Sequence, residues 1–482
     1  MPQPNLLLLP PSDFAMKRSA NLSFVAGRGE ASVTTFFSDH AAAAAYWNSS
    51  PPTVRVDLLT IRTDQPEAIY RKGETVTFNL RVHDPQHPLA SGSVDWVLSK
   101  DGVVPAIAQG TVAVKDGKAS ISGVMDEPGF LRCDVTYRNG KDTLTAPAVA
   151  AIDPTEIKPS LPIPDDFDAF WTQKKKELAT VPINAALTPI PPPPDWCGVE
   201  TYDLQADCVG VPVSGYYARP IDAKPKSCPA MLMVDGAGVR STDLLSPTRF
   251  AQQGFLTLAI NAHGIPNGQS DEFYDDLNRG ELKDYRTRGR ESRDAYYFLG
   301  MYLRVVRALD FLASQPEWDG RTLFLQGGSQ GGAQALAGAA LDPRVSFVLA
   351  IFPAACDHTG MLAGRIAGWP KLITMGPGGQ LDPAILEASR YFDCVNFASR
   401  IKAPAFVWMG FLDKVTPPTC AYAAYNRIPG RKEIINDPYH GHDTPDDIQF
   451  WSMVAEILLA RRDEQMGLKP QTGVGYGNES RS

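Results

Sequence analysis

Beyond the proline run Pro191–Pro194, one pattern recurs: short apolar runs with little alternation, at Ala230–Val234, Leu256–Ile260, Leu323–Leu325, Val345–Phe352 and Ala405–Met409. A strand with one wet face alternates apolar and polar residues. A strand that is apolar throughout has to be covered on both faces, as in a parallel sheet between helices. Amphipathic stretches such as Tyr302–Ala313 separate these runs, so the pattern predicts a mostly parallel, doubly wound α/β fold.

The upstream third has a different texture. Val54–Thr63, Glu74–His83, Ser93–Ser99, Gly110–Val114 and Phe130–Tyr137 alternate with period two, and Lys72-Gly73, Asp101-Gly102, Asp116-Gly117 and Asn139-Gly140 supply turns between them. Many short strands at this spacing predict an immunoglobulin-like β-sandwich over 52–152. Asp153–Pro164 reads as a proline-punctuated linker. A helix is expected from Asp165-Asp166 onward, opening the α/β domain assigned to 165–468. Residues 1–51 form an extension without clear periodicity, and the Gly- and Ser-rich tail 469–482 is expected to be disordered. A length of 482 residues suits two or three such units.

Composition narrows the function classes. The net charge is −8, the wrong sign for a phosphate-backbone binder, and no apolar run approaches the roughly 20 residues that cross a bilayer. Neither nucleic acid nor membrane is an expected partner. The seven cysteines include no C-x-x-C pair, which predicts reduced, buried thiols rather than a disulfide scaffold or a structural zinc site. Leu6–Leu9 lacks a basic leader and a cleavage site. The expected compartment is therefore cytoplasmic, with periplasmic or secreted as the alternative because appended β-domains are frequent in exported enzymes.

Chemistry concentrates at Leu323–Gly332. Gly327-Gly328-Ser329-Gln330-Gly331 is a G-x-S-x-G sequence between an expected strand and an Ala-rich helical stretch, Ala333–Ala340. That context distinguishes a nucleophile elbow from a glycine-rich turn with a capping serine. A neutral hydroxyl needs a base, and the base needs an acid to orient it. The α/β-hydrolase order is Ser, then acid, then His. Asp413 follows the strand Ala405–Met409; His440 and His442 follow Glu433–Asn436; His358 precedes the acid and is disfavoured.

Two cofactor readings are weaker. His440-Gly441-His442 near Asp443, Asp446 and Asp447 has metal-like spacing, but no third ligand cluster accompanies it. Gly236-Ala237-Gly238 opens like a dinucleotide fingerprint, yet Ser241 stands at the third glycine and Asn261, not an acid, ends the next strand. No cofactor or metal is expected. The Gly236–Gly238 turn reads better as an oxyanion loop.

Together these motifs resemble the acetyl xylan esterase and cephalosporin C deacetylase family of α/β-hydrolases, from about residue 165 to 460. The resemblance rests on Asp166-Phe167-Asp168-Ala169-Phe170-Trp171, Thr287-Arg288-Gly289 with Tyr296-Tyr297, and GGSQGG. It continues through Tyr391-Phe392-Asp393, Val395-Asn396-Phe397-Ala398, Gly410-Phe411-Leu412-Asp413, Ala423-Ala424-Tyr425-Asn426 and Pro438-Tyr439-His440-Gly441-His442-Asp443. It implies Ser329 as nucleophile, His442 rather than His440 as base, Asp413 as acid, and the backbone N–H groups of Gln330 and Ala237 as oxyanion donors.

It further implies a serine esterase that deacetylates sugars such as xylo-oligosaccharides, and a homo-oligomer, since the family assembles as ring-like hexamers. A longer-chain carboxylesterase or peptidase shares the same chemistry, and a non-catalytic carbohydrate-binding protein is the reading from another class. The chain departs from the family in three ways. Asn261-Ala262-His263-Gly264 replaces an Arg-Gly-Gln motif, Ala237 stands where tyrosine is frequent, and a β-domain is added.

Overall fold

The structure, a computed structural model, describes residues 58–83, 92–139, 142–192, 196–374, 379–443 and 447–468. The expected extension 1–51, residues 52–57 of the expected sandwich, the tail 469–482 and the proposed ligand Asp446 lie outside them.

Among the described residues eight strands come first: β1 (Leu59–Thr63), β2 (Ile69–Tyr70), β3 (Val76–Val82), β4 (Gly92–Lys100), β5 (Ala108–Val114), β6 (Lys118–Gly123), β7 (Gly129–Asn139) and β8 (Asp142–Ile152). They form a three-stranded sheet, β1-β3-β6, and a five-stranded sheet, β2-β8-β7-β4-β5. The inner faces share one apolar core that includes Phe78 and Leu80 of β3, Val94 and Leu98 of β4, and Leu131, Cys133 and Val135 of β7. Successive strand residues point to opposite faces, so Phe130 of β7 and Val149 and Ala151 of β8 face outward. They join a second core, shared with the remainder of the chain.

That remainder contains a nine-stranded sheet of β9 (Ala186–Ile190), β10 (Val199–Ala206), β11 (Val213–Pro220), β12 (Cys228–Val234), β13 (Leu256–Ile260), β14 (Trp318–Gly328), β15 (Phe347–Ile351), β16 (Ala405–Gly410) and β17 (Lys432–Asp437). The order is β17-β16-β15-β14-β12-β13-β11-β10-β9. β12 to β17 run parallel, while β9, β10 and β11 extend one edge antiparallel. Each parallel strand splits its side chains between two covered faces. Leu232 and Val234 enter one core, and Met231 and Met233 enter the other beside Phe450 and Ile457 of the helix Asp447–Met466. This accounts for the unalternated runs. The fold is α/β-hydrolase-like.

Chain order sets the functional edge. From β12 the chain goes outward to β13, then crosses β12 to reach β14 and continues through β15, β16 and β17 in the other direction. The carboxyl ends of β12 and β14 therefore flank a topological switch point, where open α/β sheets bind ligands.

Candidate active site

β14 ends at Gly328, and the helix Gln330–Leu341 begins two residues later. Ser329 takes up the whole reversal at φ 58°, ψ −121°, a left-handed conformation that side-chain-bearing residues adopt only when the surroundings enforce it. The neighbours have to be glycine for steric reasons. A Cβ at Gly331 would lie 2.2 Å from the Val234 carbonyl oxygen, and one at Gly327 would lie 2.4 Å from the Gly331 carbonyl oxygen. The turn is clamped by the Ser329 N–H donating to Ile351 O at 2.9 Å.

The Ser329 hydroxyl lies 3.0 Å from His442 Nε2, and His442 Nδ1 lies 2.7 Å from Asp413 Oδ2. Asp413, fully buried at its side chain, sits on the loop after β16. Its Oδ1 accepts from the N–H groups of Val415 and Thr416 at 2.7 and 2.8 Å, and its Oδ2 accepts from the Thr416 hydroxyl at 2.7 Å. These bonds leave the carboxylate little freedom to turn from the imidazole. The Phe352 ring packs 4.6 Å from that of His442.

His440 meets a different acid. Its Nδ1 lies 2.7 Å from Asp437 Oδ2. Burial lowers its affinity for a proton, but the hydrogen bond and charge of Asp437 outweigh that and raise its pKa above the ordinary value. The two histidines of the H-x-H sequence thus each serve a separate carboxylate. His358 is buried, with neither ring nitrogen hydrogen-bonded, and burial lowers its pKa to about 4.

The Gly236–Gly238 loop follows β12. Gly236 lies against the elbow: a Cβ there would be 3.4 Å from Gly328 O and 3.8 Å from Ser329 Cβ. Arg240 donates to Ala237 O at 2.7 Å. Gln330 is the first residue of its helix, so its N–H has no acceptor within that helix. Its side-chain oxygen accepts from the Tyr285 hydroxyl at 2.9 Å.

His263, on the loop after β13, is buried beneath this loop. Its Nε2–H donates to Gly238 O at 3.2 Å and its Nδ1 accepts from the Tyr297 hydroxyl at 2.8 Å. Burial, with the Arg304 charge, lowers its pKa to about 4, which keeps it neutral in this bonding pattern. Asn261-Ala262-His263 therefore supports the Gly236–Gly238 loop from behind. The roles of Thr416, Tyr285 and Tyr297 are structural findings. Only Thr416 had a local signal, since Asp-x-x-Thr can close an Asx-type turn.

All seven cysteines are free; six are buried and Cys197 is exposed. Among the described residues no helix is long and apolar enough to cross a membrane.

Comparison with known proteins follows the same lines. Residues 155–452 match the family described as acetyl xylan esterase. The chain belongs to this family. A curated relative, acetyl esterase Axe7A of Xylanibacter ruminicola, is 33% identical over 365 residues, covering 73% of this chain and 80% of the relative. That alignment is longer than the family's 155–452 span, so the likeness to this relative extends beyond it. Among solved structures, an acetyl xylan esterase from Paenibacillus sp. R4 is 28% identical with a TM-score of 0.55, covering 63% of this chain and 98% of that one. Acetyl xylan esterase 1 from Thermoanaerobacterium sp. JW/SL YS485, 23% identical with a TM-score of 0.51 over 64% and 97%, shares the fold. As a member of the acetyl xylan esterase family, the protein is a carboxylic ester hydrolase.

Proposed function

We propose that the protein removes O-acetyl groups from acetylated sugars, xylo-oligosaccharides or related, through an acetyl-enzyme on Ser329. The observation that carries this reading is the linear chain Ser329 Oγ, His442 Nε2, His442 Nδ1, Asp413 Oδ2, with separations of 3.0 and 2.7 Å. Asp413 holds the neutral imidazole with its proton on Nδ1, which leaves Nε2 as the acceptor for the serine proton. The serine oxygen attacks the acetyl carbonyl, and the developing oxyanion sits against the N–H groups of Gln330 and Ala237. As the bond from the acetyl carbon to the sugar oxygen breaks, His442 gives its proton to that oxygen, which leaves as a hydroxyl. Water, deprotonated by the same nitrogen, then attacks the acetyl carbon; the bond to Ser329 Oγ breaks with the proton returning to it, and acetate is released. Each oxyanion donor is worth about 10²- to 10³-fold in rate in comparable sites.

In the same reading the strands β1 to β8 form an immunoglobulin-like domain; two sheets, β1-β3-β6 and β2-β8-β7-β4-β5, packed over one apolar core support it. The hydrolase unit then begins near 165, after the linker. Acetate release from a panel of acetylated sugars, with Ser329→Ala as control, tests the reading. Release that survives the substitution contradicts it, and preference for nitrophenyl esters longer than propionate would make it a longer-chain esterase.

A further inference from the structure

The β-sandwich contacts the hydrolase sheet at the two loops that carry the acid and the base. On the acid side, the Phe130 ring of β7 meets Phe411 edge-on at 5.2 Å and Tyr422 at 5.7 Å. Phe411 is two residues before Asp413, and both rings are buried. On the base side, the Arg62 guanidinium, in β1, lies 4.7 Å above the ring of Tyr439. The Tyr439 hydroxyl donates to Pro66 O at 3.3 Å. Tyr439 is three residues before His442.

The two loops are also tied to each other. Phe411 N–H donates to Asp437 O at 2.7 Å, and Leu412 N–H donates to His440 O at 3.0 Å. A close fit at Gly410 keeps them in register, since a Cβ there would lie 2.5 Å from the His440 and Gly441 carbonyl oxygens. A shift of either loop therefore carries the other with it, and the sandwich grips both.

We propose that the sandwich acts as a positioning element for catalysis, through Arg62 on Tyr439 and Phe130 on Phe411, and holds the His442 imidazole at its working distance from Ser329. This rests on the triad reading above. None of these four side chains reaches the reacting atoms. Proton transfer is steep in distance, and displacements of about 1 Å can cost roughly 10²-fold, whereas an exposed cation–π contact is a small bias. The expected losses are correspondingly modest and fall on turnover rather than binding.

The test uses the full chain and p-nitrophenyl acetate. Tyr439→Ala is expected to lower kcat roughly three- to tenfold with KM within about twofold. Tyr439→Phe, which keeps the ring under Arg62, restores most of the loss. Arg62→Ala has a smaller effect of the same sign, and adding it to Tyr439→Ala costs nothing further because both remove one contact. Phe130→Leu, which fills the same space with little loss of packing, lowers kcat by the acid-side route if the first pair proves too weak to read. Wild-type kcat in both Tyr439→Ala and Phe130→Leu overturns the proposal, as does a loss confined to KM. Ser329→Ala run alongside separates the two claims: activity surviving there overturns the triad reading itself, whatever the sandwich variants do.

Discussion

His440 and His442 stand two residues apart, and each has a carboxylate oxygen 2.7 Å from its Nδ1. The pairs differ in what they join. His440 and Asp437 are three residues apart, and the same carboxylate accepts from the N–H groups of Tyr439 and His440 at 2.9 and 3.2 Å. That pair folds the turn at the end of β17. His442 and Asp413 come from loops after different strands, and the imidazole extends to a third, the elbow after β14. A histidine–aspartate pair is thus a common structural unit; on the proposed reading, a nucleophile on the far nitrogen turns one of them into a catalytic base.

The largest expected effects lie on the long-range pair. Ser329→Ala and His442→Ala should each lower kcat for p-nitrophenyl acetate by about 10⁴-fold or more, with little change in melting temperature. Asp413→Asn should lower it by about 10⁴-fold, because the amide favours the wrong imidazole tautomer. His440→Gln, removing the local pair, should leave kcat within about fivefold. A His440→Gln loss matching that of His442→Ala would break the distinction and move the base to residue 440.

Smaller effects separate the histidines by pH. His263 has a folded pKa of about 4, below the unfolded value of about 6.5. Between these values the unfolded chain binds more protons, so stability falls as the pH drops through this window. Melting temperatures of His263→Asn should fall less steeply from pH 6.5 to 4 than those of the parent; parallel curves would show that His263 is not buried and neutral. His440 is the reverse case. Its raised folded pKa makes its stabilisation fully present below about pH 6.5 and lost as pH rises through the folded value. The melting-temperature gap between parent and His440→Gln should be small, widest at mildly acid pH, and closed in alkali.

Legibility in the sequence followed the strength of local signals. β13 coincides with its expected run, and β12, β15 and β16 lie within two residues of theirs, because strands covered on both faces are apolar throughout. β9, β10 and β11 give no such run: Val199–Ala206 mixes Thr, Tyr, Asp and Gln on a half-buried strand, and Val213–Pro220 is interrupted by Gly215. β8 carries no clean strand signal because Pro147 sits inside it. The strand tolerates a residue without an N–H there because β2 pairs only with Ala151 and Ile152, leaving an open edge at Pro147.

In the site, Ser329 and Asp413 were readable from motif and strand order. The choice between His440 and His442 was not, since both follow β17 within hydrogen-bonding reach of an acid; it came from the family resemblance. The support of His263 for Gly238 is a contact between residues on separate loops, and no local pattern encodes it.

The most direct measurement is peptide mapping by mass spectrometry after treatment with an organophosphate ester that reacts with activated serines. The account predicts one modified residue, Ser329, in the parent protein and in His440→Gln, and none in His442→Ala. A label on another residue, or undiminished labelling of Ser329 without His442, would contradict it.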